Sequence, residues 1–319
     1  MNRVLLGVLL VAVAAALFGT LSYVSRSAAA AGLEALPFVA WRAMAGAVAL
    51  MAMSMLVGGR LGGGRLPDLG VLSRDRRVAL LVAALFGALL NIAVFAAFLR
   101  TTVAVALICF YTFPAIVTLA AVRFYGERLD RVRIGALVLS SAGLGLVVLA
   151  PLIGSASVVV DPIGVALALI GAVCQAAFVL IAGRGFRPMP VLHVSTIVIF
   201  AALLVSLPLA LIAGEVEGLL RPLSEPDVWP WILAGGVAGA AIPTTAFVTG
   251  IGLIGPSRAA ILMTVEPLVG VTLAGLLLGE RPSALQLVGG AAVLIAAAVL
   301  QVAPRAPHVA AESEYGHVV

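Results

Sequence analysis

At residues 264–300 the chain reads TVEPLVGVTLAGLLLGERPSALQLVGGAAVLIAAAVL, and at residues 111–148 it reads YTFPAIVTLAAVRFYGERLDRVRIGALVLSSAGLGLVV. A shift of 153 positions places Pro114 on Pro267 and the Gly-Glu-Arg triplet at 126–128 on the triplet at 279–281. Each copy is predicted to form an apolar helix that contains a proline, a tight turn and a second apolar helix. A repeat of this length indicates a chain built from two related halves.

The composition is that of a membrane protein. Of the 319 residues, 63% are hydrophobic and only 10% are charged, and the mean hydropathy is +1.23. Soluble domains are about 25% charged. The formal net charge is +5, and all 19 basic residues are arginine, since the chain has no lysine. Most of these arginines lie in short loops between apolar runs, where membrane topology places them. The lipid bilayer is therefore the expected surrounding, and a nucleic-acid partner is not expected.

Ten apolar runs are long enough to cross a bilayer, which takes about 20 residues. They are Val4–Ser25, Pro37–Val57, Val78–Leu99, Thr102–Val122, Val132–Leu152, Pro162–Gly183, Met189–Gly214, Val228–Gly252, Ser257–Gly279 and Ala284–Val302. Residues 4–152 are predicted to form the first half and residues 161–302 the second. The polar tail at 303–319 is predicted to be flexible.

The arginines also predict the orientation of the chain. Most of those outside the spans face the cytoplasm if the N-terminus does, so both termini are expected to be cytoplasmic in a bacterial-type inner membrane. Five spans per half is an odd number, so the second half must enter the membrane upside down relative to the first. The predicted fold is all-α, with ten transmembrane helices in two inverted five-helix repeats. Secondary transporters of this kind place their substrate site near the midplane, between the repeats.

Several stretches resemble one known family. They are LFGTLSYVSR at 17–26, the Trp41-Arg42 pair, and IGPSRAAILMTVEPLVGVTLAGLLLGERPSALQLVGGAAVLIAAAVL at 254–300. They resemble the EamA-type branch of the drug/metabolite transporter superfamily, and the resemblance covers about residues 4 to 302. It implies two five-helix EamA repeats and a permease, more often an exporter than an importer, for amino acids, related metabolites or amphipathic cations. The first copy departs from the pattern at Phe113, where the second copy has Glu266.

Glu266 is the strongest candidate for a functional residue. It lies about ten residues into the ninth span, directly before Pro267. An ionised carboxylate at such depth is costly, and a low-dielectric surrounding favours the protonated acid. Glu266 is therefore predicted to bind substrate and to exchange protons as a coupling residue. Pro267 also leaves a carbonyl near Met263 without its helical donor. The alternative is that a neutral Glu266 hydrogen-bonds a neighbouring helix and has only a structural role.

Other polar and aromatic residues near the midplane are candidate substrate contacts, because polar groups in lipid must face the bundle or a cavity. They are Thr20, Tyr23, Asn91, Phe95, Tyr111, Gln175, Phe178, Thr244 and Thr245. Asn91 and Thr244 correspond under the shift of 153. Interrupted helices at related positions indicate a midplane site, and Pro114, Pro243 and Pro267 are the predicted breaks. Hydrogen bonding between helices and simple core packing are the alternatives for these side chains.

Two further charged or titratable residues lie in the spans. Arg42 either extends to the membrane interface or pairs with the carboxylate of a substrate or of an acidic side chain. His193, at the cytoplasmic start of the seventh span, is expected to be an interfacial polar residue rather than a proton relay. Cys109 and Cys174 show no metal-ligand spacing, so neither a metal nor another cofactor is expected.

The sequence favours a secondary transporter of a small organic molecule, with an organic-cation efflux permease as the alternative. The chain has no phosphate-binding GxxxxGK[ST] motif, so ion coupling, with protons as the candidate ion, or no coupling is expected. Two other classes remain open at this stage. An intramembrane enzyme acting on lipid-linked substrates would show a cluster of acidic, histidine or serine side chains, and Glu266 stands alone. The other class is a non-transporting membrane assembly or receptor protein.

Overall fold

The computed structural model describes residues 2–56, 67–100, 130–153, 161–183 and 185–277, with single positions and short runs within 106–123 and 284–299. Almost all of these residues are helical, and the described part of the chain contains no β-strand. Pro114, both Gly-Glu-Arg triplets and the tail at 303–319 lie outside the described residues.

Twelve α-helices, numbered within the described ranges, make up the bundle. They are α1 (Arg3–Gly19), α2 (Leu21–Ala30), α3 (Ala35–Leu56), α4 (Arg74–Arg100), α5 (Arg131–Ile153), α6 (Pro162–Ala182), α7 (Val191–Ile212), α8 (Val216–Ser224), α9 (Trp229–Leu233), α10 (Ile242–Ile254), α11 (Pro256–Leu262) and α12 (Val265–Leu277). A π-helical segment, Ala234–Ala241, joins α9 to α10, and short 3₁₀ turns cover Leu69–Val71 and Pro226–Val228.

Six described segments are long and apolar enough to cross a membrane. They are Arg3–Ala30, Ala35–Leu56, Arg74–Phe98, Pro162–Ala182, Val191–Ile212 and Pro226–Ile254. They coincide with the first, second, third, sixth, seventh and eighth predicted spans. Helix α5 covers the fifth span, and α11 with α12 covers most of the ninth. Most of the fourth and tenth spans fall outside the described residues, so the count of ten spans stays a prediction.

Three of the spans are interrupted rather than continuous. The first is interrupted by a turn at Thr20, between α1 and α2. The eighth contains the glycine-rich π-helical segment immediately before Pro243, where the proline ring removes one backbone donor. The ninth is divided by a turn at Met263 and Thr264. Pro267 consequently lies in the first turn of α12, where its missing N–H group is not needed.

The helix contacts follow the symmetry of a two-part chain. The most extensive packing joins α4 to α6, α3 to α7, and α1 to α10. In a two-fold repeat, the third span corresponds to the eighth and the sixth corresponds to the first. The α4–α6 pair is therefore the counterpart of the α10–α1 pair. The second and seventh spans, α3 and α7, are each other's counterparts. Helices of one half therefore pack against helices of the other, and the space between the halves lies at the centre of the bundle.

Small residues permit this close packing. A β-carbon built on Gly236 in the π-helical segment would lie 2.6 Å from the carbonyl oxygen of Arg42 and 2.8 Å from the β-carbon of Ala45. The eighth span can approach the second this closely only because residue 236 has no side chain. Membrane helices lack the hydrophobic drive that packs soluble helices, so close van der Waals contact of this kind is what holds them together.

Candidate functional site

A cavity of about 130 Å³ lies between the two halves. This is close to the size of an engineered protein cavity, about 150 Å³, that binds benzene. Its aromatic lining consists of Phe18, Phe95, Phe98, Phe110, Phe178 and Phe247. Its polar lining consists of Ser22, Arg42, Asn91, Gln175, Thr244 and Glu266. The interrupted first, eighth and ninth spans all contribute to its wall, so the helix breaks and the cavity coincide.

Glu266 lies at the turn that divides the ninth span. The hydroxyl of Tyr111 is within hydrogen-bonding reach of the Glu266 carboxyl group and lies 3.4 Å from the carbonyl oxygen of Met263. The backbone N–H of Glu266 donates to the same carbonyl oxygen at 3.0 Å. The Met263 carbonyl, which lies at the helix break, thus accepts hydrogen bonds from these two donors. A carboxyl group, a phenol and a carbonyl therefore meet at one edge of the cavity, where a proton can be held or passed.

The repeat counterpart of Glu266 has a different surrounding. Phe113 is fully buried, and its ring centre lies 5.5 Å from that of Tyr111 and 5.3 Å from that of Phe110. An aromatic cluster occupies the position where the first half would otherwise carry a carboxylate. Among the described residues, the cavity therefore has its carboxyl group on the second half, and the corresponding position of the first half is aromatic.

Arg42 is buried at the cavity and does not extend to the membrane interface. Only 4% of its surface is exposed. Its Nη2 donates to the side-chain oxygen of Asn91, and its guanidinium carbon lies 4.9 Å from the centre of the Phe95 ring and 6.0 Å from that of Phe38. Of the two alternatives for this side chain, extension to the membrane interface is therefore wrong. Arg42 lies on the buried face of α3, and its partners on α4 hold the charge within the bundle.

Five of the nine other candidate contacts line the cavity with the predicted carboxylate. Asn91, Phe95, Gln175, Phe178, Thr244 and Glu266 line the cavity, together with Pro267. Thr20 and Thr245 instead return their hydroxyls to carbonyls of their own helices, at Leu17 (2.7 Å) and Ala241 (2.9 Å). The Tyr23 ring packs edge-on against Trp231, with 6.0 Å between ring centres. Thr20, Tyr23 and Thr245 are therefore not among the described cavity-lining residues.

Tyr111 and Pro243 do not line the cavity but adjoin residues that do. Tyr111 is buried and reaches Glu266 and Met263 rather than the cavity space itself. Pro243 is buried in the first turn of α10, one residue before the cavity-lining Thr244. Both residues thus position groups that line the cavity.

His193 also differs from its expectation. Only 6% of its surface is exposed, and its Nε2 lies 2.9 Å from the hydroxyl oxygen of the buried Ser54. It therefore joins the C-terminal end of α3 to the N-terminal end of α7 within the bundle, and it is not an interfacial residue. The sequence showed a lone histidine near a span end but could not show that a serine on another helix faces it.

Phe98, Phe110 and Phe247 line the cavity but were not selected from the sequence. A signal was present for two of them. Phe98 follows Asn91 and Phe95 at helical spacing, so all three share one face of α4. Phe247 follows Thr244 by three positions on α10 in the same way. Phe247 also packs against Phe18 and Phe178, with ring centres 6.5 Å and 6.4 Å away.

The described residues bring together no group of three or more histidine, cysteine, aspartate or glutamate side chains that could hold a metal. The polar groups of the cavity are separate side chains suited to non-covalent binding. Taken with the apolar helices, this arrangement defines a multi-pass integral membrane protein with an internal cavity.

Comparison with known proteins gives the family. The family model described as the EamA-like transporter family matches residues 5–149 and again residues 162–302. The chain therefore belongs to the EamA-like transporter family, whose members are transporters and not enzymes, and the resemblance drawn from the sequence is confirmed. No curated protein matches the chain.

A solved crystal structure of a protein is similar in fold. It shares 20% sequence identity with this chain and has a TM-score of 0.71, and the match covers 93% of this chain and 98% of that one. The TM-score supports a shared fold, and an identity this low carries no information about the solute.

Proposed function

We propose that this protein is a secondary transporter that exports a small organic metabolite, such as an amino acid or a related compound, by alternating access around the central cavity. In this proposal, ten spans in two inverted halves cross a bacterial-type inner membrane, and both termini are cytoplasmic. The direction of transport and the class of metabolite follow from the family resemblance rather than from the cavity.

The observation that carries the proposal is a cavity enclosed by both halves, with Glu266 at the break of the ninth span. Interrupted helices bring free backbone groups and polar side chains to the middle of the membrane without exposing them to lipid. Inverted repeats also have two related packings, each of which opens to one side of the membrane. The similar packing of the third–sixth and first–eighth pairs of spans supports the existence of two such related packings.

Glu266 is proposed to couple transport to protons. The Tyr111 hydroxyl supports the carboxylate when the proton leaves, because it can donate to either carboxyl oxygen. Re-protonation after the solute leaves would reset the cavity. The competing interpretation is that Glu266 stays neutral and only joins α12 to Tyr111, in which case transport does not respond to a pH gradient.

The proposal is tested by solute flux in proteoliposomes, with and without an imposed pH gradient. The solutes are amino acids, small carboxylic acids and amphipathic organic cations. Wild type is compared with Glu266→Gln, which keeps the shape of the side chain but cannot ionise. Glu217→Gln, an exposed glutamate on α8, is the matched control. We expect gradient-driven flux in wild type and in the control, and its loss in Glu266→Gln.

Equal flux in all three proteins would remove the coupling role and indicate a facilitator. Gradient-driven movement of organic cations alone would favour the alternative, an organic-cation efflux permease. If the folded protein moves none of these solutes, the transporter proposal fails for the solute classes it names.

A further inference from the structure

The guanidinium group of Arg42 has unused hydrogen-bonding capacity. It lines the cavity, yet its Nε and Nη1 atoms are buried and have no hydrogen-bond partner within the described part of the chain. Only Nη2 has an acceptor, the side-chain oxygen of Asn91. Buried charged groups are normally paired, because a lone charge in a low-dielectric site has lost its hydration without replacement.

The surrounding residues hold this group in a defined place. The side-chain nitrogen of Asn91 donates to the carbonyl of Gly87 at 2.7 Å, which leaves its oxygen directed at Arg42. The Phe95 ring, 4.9 Å from the guanidinium carbon, gives it an aromatic neighbour. The guanidinium is thus positioned by an amide and by an aromatic ring, and neither of them neutralises its charge.

No acidic side chain of the described residues supplies that neutralisation. The two ion pairs found among the described residues join Arg100 to Asp161 and Arg221 to Glu225. The only carboxyl group among the described cavity-lining residues is that of Glu266, and it lies within hydrogen-bonding reach of Tyr111, while no ion pair joins it to Arg42. The cavity therefore presents a positive group whose counter-ion must come from elsewhere.

We infer that Arg42 and Asn91 form a carboxylate-binding subsite, so that the transported solute is a small organic acid or zwitterion whose apolar part lies against the phenylalanines of the cavity. A carboxylate supplies two charged acceptors, and guanidinium–carboxylate bonds are among the strongest hydrogen bonds in proteins. A purely cationic solute would meet Arg42 with the same charge. This inference rests on the proposed transport function and specifies its solute.

The inference is tested by binding, which does not require transport. Isothermal titration calorimetry with purified protein would compare phenylacetate with phenylacetamide, a neutral compound of nearly the same shape. We expect wild type to bind the carboxylate roughly 10- to 100-fold more tightly, the value of a charged hydrogen bond. Arg42→Gln should bind both compounds equally, and Arg26→Gln, an exposed arginine at the end of the first span, should behave as wild type.

A second variant keeps the test decisive if Arg42→Gln does not fold. Asn91→Asp places a carboxylate beside the guanidinium and gives it an internal partner. We expect a folded protein, with a melting temperature at or above that of wild type, whose phenylacetate affinity falls by roughly tenfold or more. Thermal unfolding followed by tryptophan fluorescence provides the control for folding.

Equal binding of the two probes by wild type, binding of neither, or a carboxylate preference that survives both Arg42→Gln and Asn91→Asp would overturn the inference. The transport proposal fails separately. Carboxylate binding through Arg42 without flux in proteoliposomes would remove the transporter and leave the subsite. Flux that is indifferent to the carboxylate would remove the subsite and leave the transporter.

Discussion

The backbone of Gly19 lies directly against the backbone of Glu266. A β-carbon built on Gly19 would lie 2.6 Å from the carbonyl oxygen of Glu266 and 2.9 Å from the β-carbon of Val269. Real β-carbons do not approach a backbone oxygen this closely. The break in the first span therefore meets the break in the ninth span only because residue 19 is glycine, and this contact places the two interrupted helices side by side at the cavity.

Gly19→Ala is expected to destabilise the protein. The added methyl group must push α1 away from α12, and overpacking of this kind costs about 1–3 kcal/mol. The measurement is the melting temperature in detergent, together with binding of phenylacetate. Gly135→Ala on α5 is the matched control, because a β-carbon at Gly135 would meet no atom within 4 Å. A melting temperature of Gly19→Ala equal to that of the control would contradict the close approach.

Tyr111→Phe removes one hydroxyl and leaves the ring within its aromatic cluster. The Met263 carbonyl and the Glu266 carboxyl both lose a donor, so we expect the free energy of unfolding to fall by about 0.5–1.5 kcal/mol. Gradient-driven flux should fall with it if Glu266 couples transport. Tyr23→Phe is the matched control, since the described residues offer the Tyr23 hydroxyl no hydrogen-bond partner. Indistinguishable stability and flux in the two variants would show that the Tyr111 hydroxyl is not part of the site.

Two indole groups hold the short helix α8 against the bundle. The Trp41 Nε1 atom donates to the carbonyl of Leu219, and the Trp229 Nε1 atom donates to that of Pro222, each at 2.9 Å. The two rings are themselves in contact, with 5.6 Å between their centres. This pair of tryptophans ties the segment between the seventh and eighth spans to α3.

Replacing either of these tryptophans with phenylalanine keeps an aromatic ring but removes the donor. We expect hydrogen exchange of residues 216–224 to become up to about tenfold faster in Trp41→Phe and in Trp229→Phe, in line with one lost hydrogen bond. Trp231→Phe is the control, because the Trp231 ring packs against Tyr23 and, among the described residues, its indole N–H donates no hydrogen bond to α8. Unchanged exchange in both variants would mean that other contacts hold α8 in place.

Glu215, in the loop before α8, predicts a pH dependence of stability. Burial, and secondarily the nearby carboxylate of Glu34, raise the pKa of Glu215 above its ordinary value. The folded protein therefore binds this proton more tightly than the unfolded chain. The corresponding stabilisation is present below the unfolded pKa and is lost as the pH rises through the folded one.

Glu215→Gln should accordingly raise the melting temperature at neutral pH, because the variant has no charge to bury. The difference from wild type should shrink as the pH falls towards about 4, where an unperturbed carboxyl group takes up its proton. Melting curves across this range, with Glu217→Gln as control, provide the measurement. A neutral-pH melting temperature below that of wild type would show that the Glu215 charge has a stabilising partner.

The sequence predicted the membrane class, the positions of the described spans and the family, because each depends on local properties. Runs of apolar residues such as 162–183 and 189–214 must cross the bilayer wherever they lie in the fold. The repeat that carries the Gly-Glu-Arg triplets is found by comparing the sequence with itself. The position of Glu266 beside a helix break was visible for the same reason, since a proline acts on its own turn.

The direction in which each side chain points was decided by the tertiary structure. Thr244 and Thr245 are adjacent and chemically identical, yet Thr244 lines the cavity while Thr245 bonds its own helix. Arg42 turned inward because Asn91 and Phe95 of another helix receive it, and His193 is buried because Ser54 faces it. The hydropathy of a span shows that its polar side chains must turn away from the lipid. Only the packing of the neighbouring helices decides which partner or cavity each of them meets.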